Sequence, residues 1–562
     1  MNKYLIAGVA GLLSCVANGR AETLYWWPGA SLGGDGQWNT TATFWSRLPD
    51  SKDTPSFAPG STDTAIFSGA AGVVSYTSGK AVKLFQVDTP GYLFSLPNGT
   101  VNLTVEEFGG SALAGATFRA YNSGLSNTTF DLIVTGTTSF TGSFVNGEAG
   151  GLLILRKQGD GLLDVSSATL SQTGATHVAG GILRAREGTG AAGSLPTSQS
   201  VQLGSGGGHG VLEVVGNGVS SSFTRNLSAT AAAANTVGLG SASSSVVGFG
   251  ALAGDLTVNL NNDGSVKNWG GSGFVAGTLV LGTENSTGKV TWVNPLNIVT
   301  GGPVTSTIQV VHGETSIQKV DAQIQGALQI SGSAVGGVAI ADRVLEKTGN
   351  GTLVLSGEST AFNGRLQVSA GTLLINGSFV SNTNNAEALQ VGVGAILGGS
   401  GTVAFTHANA RIEVAGTLQA GLGLANPDFG DEYQFSTFTI SQSHVIMEEN
   451  SILAFGLGAG SEFRDVIATT NGGVWQFDET QRVKFYDAGA IAGTTYAIMT
   501  GLSANPFPET WQISDSDGID GTFSFADGVV YFTVSQVPEP GVASFLFAAS
   551  GLALSTSRRR RN

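Results

Sequence analysis

Glycoside hydrolysis needs two carboxylates held a defined distance apart. The side chains that could supply them are Glu358, Glu413, Glu448, Glu449, Asp428, Asp431 and Asp465. None stands in a pattern that fixes a pair, and their spread is that of a solvated surface. The five histidines, His177, His209, His312, His407 and His444, lie far apart and form neither His-x-x-x-His nor His-Glu-x-x-His, so no metal-binding helix is written in them. Gly29-Ala30-Ser31-Leu32-Gly33 has the letters of a nucleophile elbow, but Pro28 precedes it and no helical pattern follows, so it reads as a turn. Asp515, Asp517 and Asp520 beside Gly518 and Gly521 have the composition of a calcium loop, yet the spacing departs from the EF-hand and no glutamate closes the loop. An acidic turn is the expectation there, with calcium the weaker reading. Trp26, Trp27, Trp38 and Trp45 could stack on sugar rings or close the open end of a strand stack, and the second is expected. Lys157 and Lys347 each sit beside a Gly-x-Gly turn and are expected on a solvated rim rather than as bases. The single cysteine, Cys15, falls in the leader segment, leaving the rest of the chain without a thiolate, a cysteine-ligated zinc site or a disulfide. These residues assign no catalytic group, metal or cofactor. A non-enzymatic protein is expected, with a polysaccharide lyase or glycoside hydrolase as the alternative.

Such residues would have to be positioned by strands. The 562 residues include 84 glycines and only 12% charged residues, about twice the usual glycine and half the usual charge. Aliphatic residues remain plentiful, so the glycine excess points to many tight turns between short strands rather than to disorder. Segments such as "GTLVLSG" and "GRLQVSAGTLLING" alternate apolar with small or polar residues between Gly, Asn and Ser, which is strand periodicity. The net charge of −14, with 26 lysines and arginines against 40 acids, lacks the basic footprint that nucleic acid requires.

Both ends read as addresses. Lys3, an apolar stretch to Val16 and "ANGRA" form a signal peptide (1–21) for the Sec export machinery, cut after Ala21; "LLSC" ending at Cys15 offers a weaker lipobox reading. At the other end, Gly541 to Ser557 is uncharged and precedes Arg558, Arg559, Arg560 and Arg561. That is one short transmembrane helix whose arginines stay cytoplasmic. Pro538-Glu539-Pro540 stands just before it. The order Pro-Glu-Pro, apolar span, terminal arginines resembles the PEP-CTERM sorting tail (537–562). The resemblance implies cutting near the Pro-Glu-Pro site by an exosortase, release from the inner membrane and a place at the cell surface or in exopolysaccharide matrix.

Between these ends, "LRKQGDGLLDVSSATLSQTGATHVAGGILRA" from Leu155 aligns without gaps onto "LEKTGNGTLVLSGESTAFNGRLQVSAGTLLI" from Leu345. Each unit holds two or three short strands that cannot bury their apolar residues alone, so neighbours must stack, at roughly 20–25 residues per coil. The second segment resembles the autotransporter-associated β-strand repeat, as "LYWWPGASLGGDGQWNTTATFWS" resembles the tryptophan-rich opening of the same proteins. What this implies is an all-β, elongated, right-handed parallel β-helix: an N-terminal β region (22–145), the helix proper (146–424) and a C-terminal β module (425–536) after the interruption "NPDFGDEYQF". The function implied is adhesion or matrix structure, with exopolysaccharide or surface ligands as partners.

Overall fold

A computed structural model of the chain describes residues 21–537 apart from 40–43, 54–57, 78, 122–125, 189, 231–232, 299–303, 317–319, 333–337, 422–433, 442–443, 506–510 and 515. The leader before Ala21, the motif Pro538-Glu539-Pro540 and the arginines Arg558 to Arg561 lie outside the described residues, as do Asp428, Asp431 and Asp515. Among the described residues there is no α-helix, and no helix long and apolar enough to cross a membrane. Two compact units divide the chain, Met1–Leu153 and Ile154–Asn562.

The first unit is built on parallel pairs. Thr23–Trp26, Thr64–Phe67, Lys80–Val87, Gly99–Gly109 and Thr128–Val134 form one ladder; Gly36–Trp38, Val73–Tyr76, Leu93–Leu96, Thr117–Ala120 and Ser143–Val145 form a second. Alternation along the strands sends every second residue inward, and here the inward set is rich in aromatic rings. Phe67–Phe85, Phe85–Phe94 and Phe94–Phe118 all stand 5.0 Å apart between ring centroids, within the favoured range for ring pairs. The short strand Trp45–Ser46 pairs antiparallel with Thr23–Trp26 and ends that ladder.

In the second unit the chain coils around three faces. Arg365–Val368, Thr372–Ile375 and Ser378–Ser381 lie on successive faces, and each pairs parallel with its equivalent one coil later, Leu389–Val391, Ile396–Gly398 and Thr402–Phe405. Leu373 lies against Leu397 and Phe379 against Val403, so a coil here takes about 24 residues, within the expected length. Elsewhere corners lengthen it: Ser306 pairs with Leu345, about 39 residues on. A buried row of aliphatic residues, joined by Phe379 and Phe405 on one face, runs along each face because register is set wherever one side is buried. After residues 422–433 the same ladders resume in register, Val403 against Ile440 and Leu418 against Leu453. The last pair, Asp520–Ala526 with Val529–Gln536, is antiparallel and ends one face.

Candidate functional site

Lys157 and Lys347 are not on a solvated rim. Each is within about a hundredth of complete burial, 0% and 1% exposed, because each ends an inward-facing position of its strand, Leu153–Gln158 and Val344–Thr348. A buried ammonium must be hydrogen-bonded, and backbone carbonyls do this. Lys347 Nζ donates to the carbonyls of Gly349 at 2.9 Å, Gly351 at 2.7 Å and Ala370 at 2.7 Å. Lys157 Nζ donates to the carbonyls of Gly159 at 2.6 Å and Gly180 at 2.7 Å and to that of Gly161. Two of the three acceptors come from the lysine's own turn and the third from the next coil, so each lysine staples two coils together. Burial pulls the ammonium of Lys157 down to about 7 and that of Lys347 to about 8, opposed by Asp160 and Asp321 respectively. Glycine is required on the far side of the cage. Gly371 has φ +64°, and a Cβ there would lie 2.5 Å from Lys347 Nζ and 2.5 Å from the Gly349 carbonyl oxygen; Gly181 repeats the arrangement around Lys157.

Other buried charges are also structural. Arg225 is 0% exposed; its guanidinium donates to both carboxylate oxygens of Glu187, at 2.8 and 3.2 Å, and to the carbonyls of Gln199 and Leu195, each at 2.8 Å. Burial raises Glu187 above the usual carboxylate range, and Arg225 opposes the rise. Glu213, equally buried, accepts from Arg184 and from the Thr283 hydroxyl.

The residues singled out in the sequence are mostly kept apart. Trp26, Trp38 and Trp45 are buried to 0%, 0% and 1%, with Trp26–Trp45 at 5.2 Å and Trp38–Trp45 at 5.4 Å. They are core, as is Trp27, and offer no platform to a sugar. Asp465 is buried and accepts the N–H groups of Ser436 at 2.9 Å and Gly456 at 2.8 Å, while Glu358 and the adjacent pair Glu448 and Glu449 are exposed, Glu358 on a different coil from the pair. Glu413 accepts from Gln390 Nε2 at 3.1 Å. Asp517 occupies a turn at φ 47° and Asp520 Oδ1 accepts the Gly521 N–H at 2.8 Å. Among the described residues no group of three or more His, Cys, Asp or Glu is placed to hold a metal ion. Gly33 of the Gly-x-Ser-x-Gly string bridges to Ala70, and no helix follows.

Sequence spacing concealed two associations of histidine. His312 Nδ1 stands 2.7 Å from Oδ1 of the buried Asp321, whose Oδ2 accepts the Thr352 N–H at 2.8 Å. His407 and His444, 37 positions apart in number but on successive coils, line one cleft of about 380 Å³ together with Thr406, Asn471, Gly472 and Val474. Only the coil length brings them together, and no short motif could have announced it.

Two segments of the chain, residues 155–185 and 345–375, match the family model of the passenger-associated-transport-repeat. Each lysine cage falls wholly within one of these matches. Over 485 residues, 82% of its length, the chain is 27% identical to the adhesin BmaC autotransporter of Brucella suis biovar 1 (strain 1330). It spans 12% of the length of that relative.

Proposed function

We infer that this protein is an exported, non-enzymatic, adhesive β-solenoid of the cell surface or the surrounding polysaccharide matrix. The observation that carries the reading is the alignment with an adhesin over 82% of the chain, which runs along ladders made of stacked coils. A stack of coils presents long, continuous faces, the surface that extended binders use. The handedness implied by the repeat is right-handed. Deleting the gene is expected to lower attachment of the cells to surfaces or to one another, and re-expression to restore it. Unchanged attachment by a deletion strain whose parent displays the protein would overturn the reading.

Export and sorting complete the proposal. The leader is removed after Ala21, and the tail holds the precursor in the inner membrane, since four arginines in a row resist passage through hydrocarbon at about 2.5–3.5 kcal/mol for each. An exosortase then cuts near Pro538-Glu539-Pro540 and frees the protein. Replacing those three residues by alanine should leave an uncut C-terminus in the inner membrane. Recovery from the surface form of wild-type cells of a peptide that ends at Asn562 would defeat the sorting step while leaving the adhesive reading intact.

A further inference from the structure

From Ser378 onward, one of the three faces of the second unit carries almost no charge. Its ladder runs in order through Ser378–Ser381, Thr402–Phe405, Thr437–Ser441, Val466–Thr470, Thr495–Thr500, Val529–Gln536 and Asp520–Ala526. The only charged residue in these seven strands is Asp520, the first residue of the last one. The other two faces are charged along the same coils: Arg365, Arg411 and Glu413 stand in strands of one, and Arg482, Lys484 and Asp487 in a strand of the other.

Alternation fixes what this face offers. Ser378, Thr402, Thr439, Ala468 and Thr500 are register partners in one column, and each is half-buried, because it points outward while Phe379, Val403, Ile440 and Ile467 point into the core. Thr495, Thr533 and Thr522 form a second row across the last three strands, with the hydroxyls of Thr495 and Thr533 2.8 Å apart. Tyr531 stands beside that row, between Ala497 and Ser524. Neighbouring strands lie about 4.8 Å apart, so seven of them make a surface roughly 30 Å long.

Each class of partner makes its own demand on such a surface. Nucleic acid and anionic lipid require cations, a metal ion requires carboxylates, and the core of a protein interface is enriched in large aromatic residues and arginine. This face has Tyr531 and otherwise short hydroxyl and methyl groups. A hydroxyl donates one hydrogen bond and accepts two, the methyl groups between them take apolar contact, and Tyr531 adds an apolar ring with a polar tip. The partner that answers all three is a neutral polymer whose own surface alternates hydroxyl and C–H groups.

We propose that this uncharged face binds neutral polysaccharide in flat, ribbon-like chains. The proposal rests on the adhesive reading and names its ligand class. Hydroxyl and C–H contacts carry no net charge, so this binding withstands salt, whereas the chain's net charge of −14 turns acidic polysaccharides away from a face that has no cation to meet them.

Adsorption of the full chain to microcrystalline cellulose, and to cellulose oxidised to the C6 carboxylate, tests it, because oxidation keeps the ribbon and adds negative charge. The chain should adsorb to the neutral form with little change between ~50 mM and ~500 mM salt, and at least ~10-fold more weakly to the oxidised form at low salt. Thr402→Lys and the double variant Thr439→Lys, Thr533→Lys should each lose ~10-fold or more for the neutral form with unchanged circular dichroism, since a long side chain standing out from the face holds the ribbon off and keeps its ammonium in water. Gln367→Lys, on a charged face of the same unit, should adsorb as wild type. No adsorption by the wild type, equal adsorption to the two forms at low salt, or full adsorption by the face variants would overturn the proposal. A dimer in sedimentation that the face variants abolish would also overturn it and assign the face to a second copy of the chain. A deletion strain that loses attachment although the protein does not adsorb to cellulose would overturn the ligand alone; one that attaches normally would overturn the adhesive reading itself.

Discussion

At the scale of single residues, the side chains with most consequence are those that look least at home. Lys347 brings a charge into an apolar stack, and three carbonyls from its own turn and the next coil converge on it. Lys347→Met keeps the stem but leaves the carbonyls of Gly349 and Ala370 without the ammonium that they accept from, so a loss of about 2 kcal/mol or more is expected in urea unfolding. The pH dependence has a definite sign. Burial lowers the lysine to about 8 in the fold from about 10.4 in the unfolded chain, so between these values the unfolded chain binds more protons and stability from this group rises with pH. The wild-type advantage over Lys347→Met should therefore grow from pH 8 to pH 10; a decline would show that the cage favours the charged form more than burial disfavours it. Arg225 makes the complementary case. Arg225→Met strands Glu187 without its counter-charge and should cost about 3–5 kcal/mol, while the double variant Arg225→Met, Glu187→Leu should recover part of that loss. Additive losses in thermal unfolding would refute the coupling.

At the scale of the element, a strand of three or four residues is too short to be stable alone, so each depends on the turn that aims it. Gly371 shows how tight that dependence is, because both its positive φ and the space of its missing Cβ are used. Gly371→Ala should destabilise the second unit by about 2 kcal/mol or more, from backbone strain and displacement of the lysine. Gly394→Ala carries only the strain of its φ of +77°, with nothing within 4 Å, and should cost less. Equal melting shifts for the two would mean that the cage contributes nothing beyond backbone conformation. The motif Lys-x-Gly-x-Gly followed by a glycine one coil later is thus one device: the first glycines turn their carbonyls toward the ammonium, and the last leaves room for it.

At the scale of the whole molecule, contacts run from one coil to the next, so stability is approximately a sum over neighbours. Removing one complete coil should then be tolerated where removing half is not. Excision of residues 389–411 places Ile412 where Leu389 pairs with Leu366, since Leu389 and Ile412 are themselves register partners. That variant is expected to keep its β circular dichroism and protease resistance. A deletion of about half that length inverts faces and registers and should be degraded. Collapse of the full-coil variant would show that the second unit is held by something other than neighbour pairing.

Much of this architecture was legible before any coordinates. Alternation in stretches such as Arg411–Val414, glycine at the turns and the recurrence of residues 155–185 at 345–375 all follow from local chemistry, since period-two burial and positive φ leave their mark within a few residues. What stayed hidden were relations between coils. Lys157 and Lys347 were expected at the rim because a lysine beside a glycine turn is usually solvated, and only the stacked geometry shows carbonyls replacing the water. Trp38 and Trp45 read from sequence as an end cap, with a sugar platform as the weaker reading, and only the packing of Phe67 and Phe85 against them shows how completely they are buried. His407 and His444 read as unrelated, and corner lengths on successive coils decided that they share one cleft. Sequence by itself determined which apolar residues turn inward on a strand and where turns fall, because both are local; the tertiary structure alone decided which coils lie against each other and by what register, because that depends on the summed lengths of corners, and with it that Lys157 and Lys347 turn inward too.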